Sequence, residues 1–216
     1  MGSAFRHLTA LYFALATLAF WWQSQIVNGS LAPGFLVAAP SMQCPFFNHT
    51  LVLLVDHGEQ GSFGFVLNRV TDLQMDDVFS EVGVTDPIEG ATEVPVLLGG
   101  PVSPETGWVL YDALGIPSPS SGRTIAVNDR IACSASVELL QRIARGDGPN
   151  TCAMVLGYAG WGAGQLEDEM KHGSWIPVDL DYDLVFQTPI DDRWNAALAT
   201  LGIDPARVID SHIASA

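Results

Sequence analysis

Basic residues are scarce in this sequence. Its 216 residues include 9 Lys and Arg against 24 Asp and Glu, which gives a formal net charge of −15. The arginines are scattered singly or, like Arg142 and Arg145, paired at most. Because nucleic-acid affinity comes largely from cations that displace counterions, this composition disfavours direct binding to DNA or RNA. An acidic chain of this kind is more typical of a soluble cytoplasmic protein.

Cysteine is also scarce, and several reaction motifs are missing. Cys44, Cys133 and Cys152 are odd in number and widely spaced, and no C-x-x-C occurs. A disulfide framework or a zinc site needs more than this, so reduced and mostly buried thiols are expected. The sequence has no Gly-x-Ser-x-Gly elbow and no cysteine or serine beside a convincing base. It therefore predicts no catalytic residue, no cofactor and no metal site.

Two acidic patterns deserve comparison with metal sites. Asp168 and His172 are four residues apart and share one helix face, but a site needs further ligands that the sequence does not identify. Asp179, Asp181 and Asp183 alternate and would share one face of an extended segment. That spacing favours a solvated acidic edge over a weak divalent-cation site.

Residues 1–30 differ from the rest of the chain. Arg6 is their only charged residue, and residues 8–22 are almost wholly apolar. A signal peptide would need a clean cleavage site, and a membrane anchor would need about 20 apolar residues. The third explanation, which we favour, is an upstream extension from a misassigned start, with the true start at Val27 or Leu31.

Residues 31–216 are predicted to form one domain, without repeats or long linkers. Apolar, β-branched runs predict strands over residues 34–39, 50–55, 63–67, 94–98, 107–111, 124–127, 152–156 and 183–186. Helical spacing of apolar residues predicts helices over 73–82, 134–145, 164–171 and 191–201. Strands cluster first and later alternate with helices, which indicates an α+β domain with a mixed sheet.

Two glycine-rich segments are the candidates for a ligand or partner site. A predicted buried strand ends at Gly99-Gly100, where glycines permit close approach by a ligand or another backbone. The segment 157–164 stands between a predicted strand and helix, where phosphate cradles form. Acidic residues in the first turns of that helix, beginning with Glu167, would repel a phosphate. We therefore predict a tight turn in which the glycines make room for Tyr158 and Trp161, and a binding role of this aromatic pair with Gln165 is the alternative.

These segments are expected to meet in one surface groove. The predicted groove comprises the two glycines, the two aromatic side chains, a polar neighbour on the following helix and a nearby cation: Gly99, Gly100, Tyr158, Trp161, Gln165 and Arg69. Its occupant would be a protein partner or a small molecule.

The order of several short motifs provides a family resemblance. The motifs are Gly34–Pro40 followed by Met42, Pro45 and Phe47, then Gly64–Arg69, Leu98–Val102, Gly157–Glu167 with Glu169 and Trp175, Arg193-Trp194 and Leu201–Pro205. The pattern resembles the YqgE/AlgH family of bacterial proteins and runs from about Leu31 to Asp210. It does not cover residues 1–30, and family members begin near Leu31.

The resemblance implies a bacterial cytosolic protein with a single α+β domain. Its mixed sheet would have a small barrel-like portion surrounded by helices. The family carries the label of transcriptional regulator without a DNA-binding motif and without an assigned biochemical activity. One position departs from the pattern, because Cys44 stands where the family usually has Asp before Pro-x-Phe. A role of that carboxylate in other members does not carry over to this chain.

Together these observations predict a non-enzymatic cytosolic regulatory or accessory protein that acts through protein or small-ligand contacts. The alternative is an enzyme of unknown reaction that uses the groove near Gly99-Gly100 and Tyr158/Trp161. A direct transcription factor is opposed by the charge and by the missing recognition helix. Membrane association is expected only if residues 8–22 are retained.

Overall fold

A computed structural model describes residues 30–204. The predicted N-terminal extension, apart from Ser30, and residues 205–216 lie outside the described residues. Nine strands form one sheet in this range: β1 Gly34–Ala38, β2 Leu51–Gly58, β3 Gly61–Val66, β4 Val96–Leu98, β5 Val102–Asp112, β6 Thr124–Ala126, β7 Ile131–Ser134, β8 Cys152–Gly162 and β9 Trp175–Asp179.

Six α-helices accompany the strands within residues 30–204. They are α1 Met75–Glu81, α2 Glu89–Thr92, α3 Val137–Arg145, α4 Gln165–Lys171, α5 Tyr182–Phe186 and α6 Arg193–Thr200. The longest of them has nine residues, and no helix in the described range is long and apolar enough to cross a membrane.

The sheet is curled into an antiparallel half-barrel. Its strand order is β6-β7-β5-β8-β3-β2-β1-β9, and β4 pairs with β8. The β4–β8 pair is parallel, while the other strand pairs are antiparallel. The expected single domain and mixed sheet are therefore present, although the fold has more strand than predicted.

Alternate strand residues contribute to two different cores, which explains the continuous apolar runs. Successive side chains of a strand point to opposite faces. Phe35 and Leu53 face the inside of the curled sheet, whereas Leu36 and Leu54 face its outside. Both faces are buried, so these strands read as uninterrupted hydrophobic segments rather than alternating ones.

Helices cover both faces of the sheet. Helices α5 and α6 pack inside the curl through residues that include Leu184 and Leu198. Helices α1 to α3 cover the outer face at one end, with Phe79 and Leu139 in that cluster. Helix α4 covers the outer face at the other end through Leu166.

The predicted strand over residues 183–186 is wrong, because this segment is helix α5. The carboxylate of Asp181 accepts hydrogen bonds from the amides of Asp183 and Leu184. An N-cap of this kind satisfies amides that a helix start leaves unpaired, and it outweighs the β-branched, aromatic composition of the segment. Asp179, Asp181 and Asp183 consequently do not share one extended face.

Strands β7 and β9 and helix α2 were not predicted. Strand β7 occupies Ile131–Ser134, so helix α3 begins at Val137 rather than at residue 134. Strand β9 follows α4 directly and pairs with β1. These strands contain Cys, Ser, Trp and Pro, and their sequences alone are weak predictors of a strand. Their strand conformation depends on pairing with a neighbouring strand.

The Gly99-Gly100 segment packs closely against the backbone of β8. The Gly99 carbonyl accepts from the amide of Val66 at 2.8 Å, and the Gly99 amide donates to the carbonyl of Leu156 at 2.8 Å. A Cβ added at Gly100 would overlap the backbone of Tyr158. The glycines are therefore required for the contact between this connection and β8.

We predict that Gly100→Ala destabilises the protein by about 3 kcal/mol, because the added methyl group forces backbone shifts. Urea unfolding followed by circular dichroism measures this change. Gly58→Ala is the matched control, since a Cβ there has nothing within 4 Å, and its free energy of unfolding should change by less than about 1 kcal/mol. Equal unfolding midpoints for Gly100→Ala and the wild type would contradict the prediction.

Candidate functional site

Trp161 and Gln165 converge with Trp175 on the carboxylate of Glu169. The indole nitrogens of Trp161 and Trp175 donate to Oε2 of Glu169 at 2.9 and 2.8 Å. Nε2 of Gln165 donates to Oε1 of the same carboxylate at 2.9 Å. The side-chain oxygen of Gln165 accepts from the amide of Gly162. These groups satisfy one another, so they form a closed structural unit.

A loop covers the aromatic rings of this unit. The ring of Phe47 stacks on Trp161 with 6.4 Å between centroids and meets Trp175 edge-on at 5.5 Å. Phe46 packs against Phe47 at 4.9 Å. Trp161 is consequently only 6% exposed, which leaves little of its ring for a ligand.

Tyr158 lies on the opposite face of the sheet from Trp161. Its ring is 5.0 Å from that of Phe63 and packs inside the curl. The predicted tight turn over residues 157–164 is wrong, because β8 continues to Gly162. Residues three apart in a strand point to opposite faces, so the structure does not bring these two aromatic side chains to one surface.

Arg69 and the two glycines are adjacent through the backbone alone. The Arg69 carbonyl accepts from the amide of Leu98 at 2.8 Å. Its guanidinium turns away and donates from Nη2 to both oxygens of Asn48, at 2.6 and 2.8 Å. Gly99 and Gly100 are buried against β8. The six predicted residues thus do not line one groove, and a ligand or partner contact by any of them stays a prediction.

Cys44 lies in the loop that covers the aromatic unit. Its thiol is exposed, and its carbonyl accepts from the amides of Phe47 and Asn48 at 3.1 and 2.8 Å. The backbone of this position therefore shapes the turn that places Phe47 on Trp161. The side chain makes no hydrogen bond with the described part of the chain.

A cleft of about 590 Å³ opens elsewhere, on the side formed by α2, α3 and α5. It is bordered by the carboxyl-terminal ends of α3 and α5 and by the first residues of β8. Its lining comprises residues 88, 90–91, 93–95, 143, 146, 148–153, 185–187 and 193. Ile88, Val94 and Phe186 contribute apolar surface to this wall, and polar atoms supply the larger part of its exposed lining.

Arg193 is the buried charged residue of this cleft. It is 6% exposed, and its Nε and Nη1 donate to the carbonyls of Thr188 and Leu67 at 3.1 and 2.7 Å. The ion pairs among residues 30–204 do not include Arg193. Burial lowers the pKa of its guanidinium to about 10, so the group is still a cation at neutral pH.

Helix α5 is attached to the sheet by a polar contact beside the cleft. The hydroxyl of Tyr182 donates to Oδ2 of Asp112 at 2.7 Å, and Arg130 pairs with the same oxygen at 2.6 Å. The guanidinium of Arg130 also lies 3.7 Å above the Tyr182 ring. Its hydrogen bond, followed by that of Tyr182, lowers the pKa of Asp112. This arrangement fixes the position of the helix that forms one wall of the cleft.

The acidic candidates from the sequence have structural partners. Oδ1 of Asp168 pairs with Lys171 at 2.8 Å, and His172 contacts the carbonyl of Asp168 at 2.6 Å. Residues 30–204 contain no group of three or more His, Cys, Asp or Glu side chains that could hold a metal ion.

Sequence reasoning missed the cleft because its walls come from segments between residues 88 and 193. No local spacing connects these segments. Glu169 carried a weak signal, since Gln165 and Glu169 are four residues apart on a helix. Arg193 was visible only as part of the family pattern, where nothing distinguished it from the buried Trp194 beside it.

We predict that Glu169→Ala lowers the free energy of unfolding by about 2–4 kcal/mol, because two indole donors lose their acceptor. Chemical denaturation followed by tryptophan fluorescence measures the loss. Glu167→Ala lies on the same helix and only approaches His57 at 3.9 Å, so it should change stability by less than about 1 kcal/mol. Similar effects of the two substitutions would count against the structural role of Glu169.

Comparisons with known proteins agree with this fold. Residues 35–206 match a family model described as AlgH-like. A UPF0301 protein of Anaeromyxobacter dehalogenans is 43% identical over 84% of this chain and 93% of its own length. A UPF0301 protein of Ralstonia nicotianae is 40% identical over 82% of this chain and 91% of its own length.

Solved structures give the same assignment. The solution structure of the AlgH protein from Pseudomonas aeruginosa is 35% identical, with a TM-score of 0.68 over 83% of this chain and 93% of that protein. A crystal structure from Corynebacterium diphtheriae has a TM-score of 0.63 over 78% of this chain and 86% of that one. At 20% identity it supports the fold alone. The chain belongs to the AlgH-like family.

Proposed function

We propose that this AlgH-like protein is a non-enzymatic cytosolic regulatory or accessory protein that acts by binding a small molecule in the cleft beside α2, α3 and α5. The cleft is the observation that carries the proposal. Its volume of about 590 Å³ lies within the range of small-molecule sites, and its lining offers both polar atoms and apolar side chains to a ligand.

The raised pKa values of Cys133, which is buried, and of Cys152, which is half-buried, support a role without covalent chemistry. Burial raises the pKa of Cys133 to about 12 and that of Cys152 to about 11. Both thiols are therefore protonated at neutral pH, whereas the thiolate is the nucleophilic form. Cys152 lines the cleft but would be a weak nucleophile there. Three free cysteines are also consistent with a reducing cytosol.

The alternative functions have less support. An enzyme that uses Gly99, Gly100, Tyr158 and Trp161 would need these residues on one accessible surface. Tyr158 and Trp161 face opposite sides of the sheet, and the two glycines are buried against β8. A direct transcription factor would need a cationic face, which the net charge of −15 opposes. Regulation through a bound small molecule requires neither feature.

We predict that one thiol per chain, Cys44, reacts rapidly with a disulfide reagent at about pH 8. The exposed side chain is accessible, while the other two thiols should react only after unfolding in denaturant. Absorbance of the released thiol gives the count, and Cys44→Ser should abolish the rapid phase. A second rapid thiol in the Cys44→Ser variant would indicate a reactive Cys152 and favour the enzymatic alternative.

We predict that a metabolite screen identifies ligands that require the open cleft. Gln187 is an exposed residue of its wall, so Gln187→Trp should fill part of the cleft while the protein stays folded. Ligand-induced thermal shifts should shrink in this variant, with affinity reduced by about tenfold or more. Two-dimensional NMR on the native chain would locate the perturbed amides.

Gln60→Trp is the matched control, because it adds the same ring to an exposed hairpin turn away from the cleft. It should bind every ligand as the wild type does. Hits that bind both variants equally well, or a screen that yields no ligand for the wild type, would contradict the proposed function.

A further inference from the structure

Arg193 is a buried cation whose hydrogen bonds within residues 30–204 involve only neutral carbonyls. Its Nε and Nη1 bond Thr188 and Leu67, which joins the start of α6 to the end of β3. No hydrogen bond of Nη2 occurs within residues 30–204, and the side chain lines the cleft. Nε and Nη1 thus have a structural role, whereas Nη2 has no hydrogen-bond partner among these residues.

Burying a guanidinium without a carboxylate carries an electrostatic cost. The effective penalty for a buried ion is several kcal/mol, and an opposite charge in good geometry offsets much of it. Two carbonyl dipoles supply only part of that compensation. A structural requirement for hydrogen bonds to Thr188 and Leu67 could be met by a neutral donor, so it does not explain why the residue is charged.

The surroundings of Arg193 restrict the chemistry of the occupant. Among residues 30–204, Arg193 is the one Lys or Arg that lines the cleft, and polyphosphates or nucleic acids would need several cations. The net charge of −15 also disfavours multiply charged anions. Glu93 lines the cleft but is exposed, so solvent screens its repulsion of a single negative charge.

The walls of the cleft add apolar contacts to a lining that is mainly polar. Ile88, Val94, Ile143 and Phe186 contribute aliphatic or aromatic surface. Asn150, exposed at the same cleft, can donate or accept a hydrogen bond. A planar carboxylate matches the fork of donors on a guanidinium better than a spherical ion does.

We propose that the cleft binds a small monocarboxylic acid whose carboxylate is held by Nη2 of Arg193 and whose apolar body packs between α2, α3 and α5. This assignment rests on the proposed function, in which the cleft binds a small molecule. It adds the charge and the class of the ligand. Arg193 is then a binding residue as well as the link between α6 and β3.

The test compares isosteric pairs on the native chain. Benzoate and hexanoate are the anionic probes, benzamide and hexanamide are their neutral counterparts, and inorganic phosphate is the competing oxyanion. At constant ionic strength, NMR titration should give benzoate and hexanoate an affinity at least about tenfold higher than that of their amides. Their amide perturbations should surround Ala153, Gln187 and Arg193, and the side-chain nitrogen resonances of Arg193 should shift.

Two substitutions add an independent measurement. Arg193→Lys keeps the charge but removes the planar fork, and it should weaken benzoate binding by about tenfold with little change for benzamide. Gln187→Trp should weaken both probes, whereas Gln60→Trp should weaken neither. If Arg193→Lys does not fold, the comparison of benzoate with benzamide on the wild-type protein still decides the question.

Each negative result has a distinct meaning. Equal affinity for benzoate and benzamide in the cleft, or a preference for phosphate, would overturn the carboxylate assignment while leaving a small-molecule site in place. The carboxylate assignment would also be overturned if no carboxylate bound but the metabolite screen found neutral ligands whose binding Gln187→Trp blocks. The small-molecule site would again remain in place. Failure of all these probes and of the screen would overturn both proposals.

Discussion

The contact between the Gly99-Gly100 segment and β8 connects the two halves of the curled sheet. Gly99 bonds Val66 at the end of β3 on one side and Leu156 of β8 on the other. Gly157 meets the same segment with a φ of +67°. Residues 152–156 of β8 pair with β4 and β5, whereas residues 159–162 of β8 pair with β3. A side chain at this crossing would force the two halves apart.

The positions of the three cores follow from that crossing. Before Gly157, Ala153 and Val155 face the inside of the curl, and beyond it Ala159 and Trp161 face the outside. The change of face assigns Trp161 to the outer cluster with α4 and leaves Tyr158 inside. Helices α5 and α6 then fill the inner face, where Arg193 joins α6 to the carbonyl of Leu67.

Most of the family-like motif residues have a structural explanation. The glycines permit close backbone contact, Trp161 and Trp175 share the Glu169 carboxylate, and Arg69 ties its strand end to Asn48. Such residues identify the fold without identifying a reaction. The cleft is different, because Arg193 at its wall is a buried cation whose bonds to Thr188 and Leu67 leave its charge without an anionic partner among residues 30–204. The proposed ligand site accordingly lies beside α2, α3 and α5 and not at the glycine-rich motifs.

The sequence by itself determined the acidic character of the protein, the family and most of the strands, since apolar runs and helical spacing are local patterns. Tertiary structure alone decided that residues 131–134 and 175–179 pair as strands and that β8 continues to Gly162, because their pairing partners lie far along the chain. The helix over residues 182–186 depends instead on a local cap by Asp181 that the apolar pattern does not reveal. The cleft and the burial of Arg193 depend on segments up to about a hundred residues apart, so no local pattern could specify them.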